Sequence, residues 1–445
     1  MTRLFGTDGI RGRANVPPMD CDTALKIGRA VGLMARNMGQ NRVVIGKDTR
    51  ISGDMLEAAL AAGVASAGVE SGLIGVIPTP GVAYLSTCLE GVGAGVMISA
   101  SHNPFYDNGI KIFQKGGLKL TDAQEHVLEA DICDSEIVPR KNVGKIAIIS
   151  DGLERYARFL RSRFPFRKLP SRIKVVVDAA NGAASEICHQ VFIDQLFDAV
   201  FIHDTPDGFN INRDCGSQHT SDLRKQVKAW KAELGIAFDG DADRMIAVDE
   251  TGQIITGDRI LAICAGHAKE NNRLKNNCVV STVMSNIGLT RALDELGITH
   301  IRTGVGDRRV LAEMQQTGAV MGGEDSGHMI FLDDHTTGDG LLSALRLITV
   351  MVHTGRTLSD LAGVMQVFPQ VLKNVEVDAS RPDFMQVPEI AGAIDEVASN
   401  LGDKGRVFVR YSGTQPLLRV MVEGPDKEMT SAACDRICRV IQTHL

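Results

Sequence analysis

Aromatic residues are scarce in this sequence: one Trp, four Tyr and 4% aromatics in all. Its cores must therefore rest on Val, Ile, Leu, Ala and Met, and an apolar content of 44% is enough for several of them. Long apolar runs are missing too. Arg346 interrupts the best one, around Leu341 to Val352, so no segment reaches membrane-spanning length and no membrane partner is expected. The N-terminal stretch MTRLFGTDG lacks the apolar centre of a secretory leader. No charge of one sign dominates. Lys plus Arg total 48 against 54 Asp plus Glu, a net charge of -6, which argues against nucleic-acid binding by bulk charge. Any anion site must be local, built from placed Arg, Lys and backbone N–H groups. The nine cysteines, an odd number, contain no Cys-x-x-Cys pair. Cys434 and Cys438 are spaced for one helix face better than for a zinc pair, so reduced structural thiols in a cytoplasmic protein are expected.

A chain of 445 residues is too long for one core and calls for several domains. Three segments are alike: RVVIGKDTR from Arg42, KVVVDAANGA from Lys174 and NCVVSTVMSN from Asn277. Each is a β-branched run ending in a polar turn, then a helical stretch, then a second short run at Gly72–Ile77, Ala199–Ile202 or Ile298–Ile301. Strand, turn, helix and strand make a βαβ unit with buried parallel strands. The segment after Phe368-Pro369 differs, with strands at Val371–Val377, Arg406–Arg410 and Leu417–Val422 and an amphipathic helix from Lys427, a pattern for a small α+β domain. The fold class expected is three related α/β domains plus a smaller C-terminal α+β domain. The borders read from composition give 1–150, 151–256, 257–368 and 369–445.

Four segments carry chemistry. MISASHNPFYDNGIKI, from Met97, sets Ser101 and His102 at the mouth of a strand, where ligands collect in α/β sheets, with Lys111 ten residues on. FDGDADR, from Phe238, packs Asp239, Asp241 and Asp243 so closely that they repel one another, and a hard cation such as magnesium or calcium would resolve that repulsion, the plain alternative being a solvated acidic turn. An EF-hand is excluded because Arg244 stands where that loop needs glycine and the flanks read as strands. GGEDSGH, from Gly322, offers Glu324, Ser326 and His328 to sugar hydroxyls. RYSGTQPLLR, from Arg410, can wrap Ser412, Gly413 and Thr414 around an oxyanion between Arg410 and Arg419. A hydroxyl nucleophile, a cation triad, a polyol-reading loop and a phosphate cradle together describe phosphoryl transfer on a phosphosugar.

These motifs, with LFGTDGIRG at Leu4–Gly12, PDGFNINRDCGS at Pro206–Ser217 and TGVGDR at Thr303–Arg308, make the whole chain resemble the α-D-phosphohexomutases. Within that family the resemblance is strongest to the bacterial members that act on glucosamine phosphate. It implies four domains around a central cleft. It also implies interconversion of glucosamine 6-phosphate and glucosamine 1-phosphate, on the route to UDP-N-acetylglucosamine and cell-wall precursors, through a glucosamine 1,6-bisphosphate that is also the activator. Ser101 corresponds to the family's phosphoserine. One magnesium ion per site is implied, held by Asp239, Asp241, Asp243 and the phosphoserine, with Arg244 beside it. Arg308, Glu324, Ser326 and His328, together with Arg410, Ser412, Gly413, Thr414 and Arg419, are the expected substrate contacts. Lys111 and His102 are both candidates for the general base. The chain departs from the family pattern at Asp325, Tyr411 and Gln415. The rival readings are a phosphoglucomutase/phosphomannomutase of the same family, a metal-dependent sugar phosphatase, and a non-enzymatic sugar-phosphate binder. The second cradle speaks against the phosphatase and the aspartate triad against the binder.

Overall fold

The computed structural model describes residues 4–6, 8–133, 142–193, 195–378, 382–412 and 416–445. Two units are distinct by contact, one of residues 1–283 and 299–363, the other of residues 284–298 and 364–445.

The first unit holds three sheets. The first contains β1 (Ile10–Arg13), β2 (Arg42–Lys47), β3 (Glu70–Val76), β4 (Val92–Ile98), β5 (Asp107–Gln114) and β6 (Ile146–Ile148), in the order β1-β5-β4-β2-β3-β6. The second contains β7 (Ile173–Asp178), β8 (Phe197–Ile202), β9 (Leu234–Phe238), β10 (Met245–Asp249) and β11 (Ile254–Ile255), in the order β11-β10-β9-β7-β8. The third contains β12 (Cys278–Thr282), β13 (Thr299–Thr303), β14 (Met321–Gly323) and β15 (Met329–Phe331), in the order β13-β12-β14-β15. The three look-alike segments are β2, β7 and β12, and each pairs in parallel with the strand that follows it, as the βαβ reading requires. Their runs of Val and Ile are explained by burial on both faces: Val43, Val44, Val175–Val177, Val279 and Val280 have no accessible surface.

One feature recurs in all three sheets. The opening strand also pairs in parallel with a third strand, β4, β9 or β14, and that strand then turns back as an antiparallel hairpin into β5, β10 or β15. The serine loop, the acidic loop and the GGEDSGH loop are those three hairpin connections. Equivalent positions in three sheets thus present the three chemistry-bearing loops.

The apolar run around Leu341 is a helix, Gly340–Thr354, with most of its residues buried. Asp339 caps it by accepting from the Leu342 N–H at 2.9 Å. Among the described residues no helix is long and apolar enough to cross a membrane.

The second unit has an antiparallel sheet of β16 (Gln370–Glu376), β17 (Arg406–Tyr411) and β18 (Leu417–Glu423), in the order β16-β18-β17. Its core joins Val375, Leu418, Val420 and Val422 to Ile390, Val397 and Leu401 of one helix and Cys434, Ile437, Cys438 and Ile441 of another. The helix Lys427–His444 therefore puts Cys434 and Cys438 on its core face. The helix Pro388–Leu401 has no counterpart in the sequence reading. All nine cysteines are unpaired, six of them buried.

Candidate active site

Ser101 sits just after β4 with φ at +54°, a left-handed conformation rare outside glycine. Such strain persists only where the surroundings impose it. They do so here through a buried arginine. Arg50 is paired with Asp48 at 2.9 Å and donates to the carbonyls of Ser101 at 2.9 Å, Asn103 at 2.8 Å and Asp107 at 3.0 Å. Asn212, from the PDGFNINRDCGS stretch, donates to the same Ser101 and Asn103 carbonyls at 2.9 and 3.1 Å. Ser99 Oγ completes the loop by accepting from the Ser101 N–H and donating to Asp48. Ser101 is 1% exposed, and its hydroxyl donates to Asp239 Oδ2 at 2.6 Å. The two loops meet so closely that a Cβ on Gly240 would fall 2.6 Å from the Ser101 carbonyl oxygen.

Asp239, Asp241 and Asp243 are buried, and one oxygen of each lies within 4.8 Å of the others. Burial, then Asp243 and Asp241, push the Asp239 carboxyl up to about 8. Asp241 Oδ1 and Asp243 Oδ1 are buried and have no hydrogen-bond partner. Unpartnered carboxylate oxygens converging in a buried site fit a hard divalent cation held by oxygen ligands. A second cluster, Asp178, His203 and Cys215, is equally close-set. There, however, Asp178 is already engaged, accepting from the Ala180 and Gly216 N–H groups and facing His203 Nδ1 at 3.1 Å.

Lys111, on β5, brings its ammonium to 2.7 Å from Asp241 and 3.0 Å from Asp243. Burial favours its neutral form, but Asp241, Asp243 and Asp8 outweigh burial and hold its pKa well above the ordinary value. His102 Nδ1 is 3.4 Å from Ser101 Oγ, and burial, then Arg244 and Arg11, bring its pKa down to about 4. The three carboxylates thus favour a charged Lys111 ammonium, while burial and the two arginines favour an uncharged His102 imidazole. Arg244 Nε lies 3.8 Å from Asp243 and 4.0 Å from Asp239 and makes no hydrogen bond.

In the GGEDSGH loop, His328 Nδ1 is 3.7 Å from Asp243, which ties the third sheet's loop to the second's. A Cβ on Gly338 would fall 2.3 Å from His328 Nε2, so glycine there makes room for the imidazole. Glu324 accepts from the Gly306 N–H at 3.2 Å and from Ser326 at 3.4 Å. Asp325 turns the other way and accepts from the Asp258 N–H at 3.3 Å, at the start of the helix Gly257–Glu270. Arg308 is ion-paired with Glu125 and lies 3.6 Å from Asp122.

In the C-terminal unit Arg410 and Arg419 are directly opposed across β17 and β18. Like charges facing each other destabilise a ladder unless an anion joins them. Burial, then Arg419, lower the Arg410 pKa. Arg419 Nε and Ser412 Oγ are buried with no hydrogen-bond partner. Arg410 and Arg419 line a small recess with Phe408, Leu372, Met421 and Met284. Tyr411 alternates to the other face, donating to the Pro382 carbonyl at 2.5 Å and packing edge-on to Phe384, so its departure from the family pattern does not face the arginines. Gly413, Thr414 and Gln415 lie outside the described residues.

The sequence reading missed Arg50, Asn212, Asp8, Lys119 and Asp307. All of these but Lys119 were inside quoted motifs, but only contacts distant in sequence reveal what they hold.

Four family profiles match the chain: phosphoglucomutase/phosphomannomutase α/β/α domain I over residues 2–136, domain II over 154–252, domain III over 256–368 and the C-terminal domain over 372–440. The chain is 58% identical to a phosphoglucosamine mutase of Desulforapulum autotrophicum, over 99% of each chain. It is 50% identical to one of Syntrophus aciditrophicus over 100% of each. Among solved structures, a phosphoglucomutase/phosphomannomutase family protein from Burkholderia thailandensis superposes with a TM-score of 0.82 at 27% identity, covering 98% of this chain and 97% of that one. The N-acetylphosphoglucosamine mutase of Aspergillus fumigatus, solved with GlcNAc-6P and magnesium, shares the fold at a TM-score of 0.67 and 18% identity, with 99% and 96% covered.

Proposed function

The chain belongs to the phosphoglucomutase/phosphomannomutase family, and from that premise we propose that it interconverts glucosamine 6-phosphate and glucosamine 1-phosphate through a phosphoserine at Ser101. The observation that carries this reading is the strained, buried Ser101, whose hydroxyl is hydrogen-bonded to a triad with unpartnered carboxylate oxygens. The choice of glucosamine phosphate rests on the name carried by relatives at 47–58% identity over nearly the whole chain.

In this reading phosphorylated Ser101 gives its phosphoryl group to the free hydroxyl of the bound monophosphate. The Oγ–P bond breaks, a sugar O–P bond forms, and the sugar's proton replaces the lost group on the serine side. The 1,6-bisphosphate turns round and returns its other phosphoryl group to Ser101, so the second step reverses the first at the other end of the sugar. Asp239, Asp241 and Asp243, with the phosphoserine, would hold one Mg²⁺, which when bound offsets the charge that would repel an incoming phosphosugar. The Lys111 ammonium and the Arg244 guanidinium supply fixed positive charge beside the transferring group. Neutral His102, next to Ser101 Oγ, is the better placed of the two base candidates, because Lys111 carries its proton already. Glu324, Ser326, His328 and Arg308 read the sugar, while Arg410, Ser412, Gly413, Thr414 and Arg419 hold the phosphate that is not reacting. The expected borders at 150, 256 and 368 give each loop its own domain. A small phosphosugar is the only partner this requires, and the cytoplasm is the fitting compartment.

The test is incubation with glucosamine 6-phosphate and with glucose 6-phosphate, with isomer and free phosphate measured separately. Isomerisation is expected, abolished by chelator and restored by magnesium, with the higher specificity constant for glucosamine 6-phosphate. Release of inorganic phosphate in place of isomer would favour the phosphatase reading.

A further inference from the structure

Lys111, Asp243 and His328 belong to a closed chain of alternating charge that also runs through three residues with no role so far. Asp8 Oδ2 is 3.2 Å from Lys111 Nζ and 2.8 Å from Arg11, and Asp8 Oδ1 is 2.5 Å from Lys119 Nζ. Lys119 also pairs with Asp307. Asp307 lies 3.5 Å from His328 Nε2, and His328 Nδ1 returns to Asp243. The side chains of Lys111 and Lys119 are 2% and 7% exposed, those of Asp8 and Asp307 18% and 13%.

We propose that Lys119 is a positioning residue for Lys111, acting through Asp8. The proposal rests on the phosphoryl-transfer reading above, in which Lys111 stands beside the reacting group. Lys111 has three carboxylates to choose from and sits nearest to Asp241 and Asp243, at 2.7 and 3.0 Å, with Asp8 at 3.2 Å the most distant. Asp8 is a weak competitor because Lys119 takes its Oδ1 while Arg11 shares its Oδ2. The local fold keeps this arrangement. After β5 the chain turns at Gly116 and Gly117, both with positive φ, and brings Lys119 back antiparallel beside Phe113. Lys119 is thus a diagonal neighbour of Lys111 on one face.

Removing the Lys119 ammonium leaves two half-buried to buried carboxylates short of a partner. Asp307 has substitutes: it opens the helix Asp307–Thr317, whose N-terminal N–H groups favour an anion, and it faces His328. Asp8 keeps Arg11 on Oδ2, and the nearest ammonium left for its Oδ1 is that of Lys111. Asp8 would therefore draw the Lys111 ammonium off Asp241 and Asp243. A displacement of this kind costs rate more than binding, since about 1 Å at a reacting group is worth about 100-fold.

The test compares full-length wild type, Lys119→Met and the double variant Asp8→Asn/Lys119→Met, each with magnesium, by kcat and KM for glucosamine 6-phosphate and by calorimetric Mg²⁺ affinity. Lys119→Met is expected to lose about 10- to 100-fold in kcat, with KM within about threefold and Mg²⁺ bound no more weakly than in wild type. The double variant is expected to turn over faster than Lys119→Met, because the competing carboxylate is gone. General structural damage would instead weaken both substrate and metal, and the two substitutions would compound. Wild-type kcat in Lys119→Met, or a double variant slower than Lys119→Met, overturns the proposal. If Lys119→Met does not fold, the double variant decides alone: folded and within about tenfold of wild type supports the proposal, while inactive or unfolded overturns it. A wild type that does not isomerise glucosamine 6-phosphate rejects the proposed function instead. In that event weaker Mg²⁺ binding by Lys119→Met than by wild type still counts against the inference.

Discussion

At the scale of single residues, the site depends on Ser101 being held in an unfavourable backbone conformation at a defined place. Arg50 does most of that holding, through four carbonyls of the serine loop, those of Ser101, Asn103, Pro104 and Asp107, and the buried carboxylate of Asp48. Breaking a buried, hydrogen-bonded ion pair by removing one partner costs about 3–5 kcal/mol. Arg50→Ala is therefore expected to lower the unfolding free energy, measured by denaturant titration, by about 3–5 kcal/mol and to lower kcat in whatever fraction stays folded. A variant as stable and as active as wild type would show that the loop holds itself. Ser101→Ala separates chemistry from fold. It should keep the denaturation midpoint, lose roughly 10⁴-fold or more in turnover, as removal of a nucleophile does, and lack the mass of one phosphate that wild type is expected to carry. The triad makes a related prediction: Asp241→Asn removes one charge beside an unpartnered oxygen and should weaken Mg²⁺ binding measured by calorimetry. Equal affinity would mean that the triad is not the metal site.

At the scale of elements, the opposed arginines of β17 and β18 form a local arrangement that a bound phosphate would relieve under the proposed function. Nothing in the ladder favours Arg410 against Arg419, and a phosphate oxyanion does. A charge-assisted hydrogen bond is worth about 1.5–3 kcal/mol, so Arg410→Ala should weaken glucosamine 6-phosphate and glucosamine 1-phosphate alike, each by about tenfold to a hundredfold. It should also let the bisphosphate escape more often, so that added bisphosphate partly restores the rate. Loss confined to one of the two monophosphates would contradict a cradle that serves both orientations. A second element carries a pH signature. Asp339 caps the helix Gly340–Thr354 and accepts from Tyr156 Oη at 2.7 Å, and burial pushes its carboxyl from an ordinary 3.8 up to about 7. The folded state therefore holds this proton more tightly than the unfolded chain does. Its contribution is fully present below about pH 4, is lost as pH rises to about 7, and is flat above that. The stability difference between wild type and Asp339→Asn, from denaturation midpoints across that range, should fall with rising pH over the same window. A difference independent of pH would contradict a raised carboxyl. The sequence made the elements visible. β2, β7 and β12 could be read because strands buried on both faces are written as runs of Val and Ile. The helix Pro388–Leu401 was just as legible, with Ile390, Ala393, Val397 and Leu401 at helical spacing behind a proline at its first position, and the sequence reading passed over it.

At the scale of the whole molecule, a repeated topology organises the chemistry. Each sheet of the first unit turns a hairpin at the same place, and the three hairpins carry the serine, the triad and the GGEDSGH loop. Ser101, Asp239 and His328 come from separate sheets, yet are joined through Asp243 and the Ser101–Asp239 hydrogen bond. The loops themselves were legible, because serine beside histidine, alternating aspartates and glycine-bounded polar residues are local patterns. The frame around them was not. Lys119 meets Asp8 across 111 residues and Asp307 across 188, and Arg50 reaches the serine loop across 51. Pairings at such separations leave no periodicity or spacing to read, and they emerge only once the sheets are assembled.

The most direct test of the central claim follows the phosphoryl group itself. Enzyme carrying radiolabelled phosphate on Ser101 is mixed with unlabelled glucosamine 6-phosphate, and after one turnover the label is located in protein, sugar phosphates and inorganic phosphate. The label is expected to leave the protein and to be recovered in glucosamine 1-phosphate and the 1,6-bisphosphate, while Ser101 regains an unlabelled phosphate. Label recovered as inorganic phosphate, or retained on the protein while the sugar is unchanged, would contradict it.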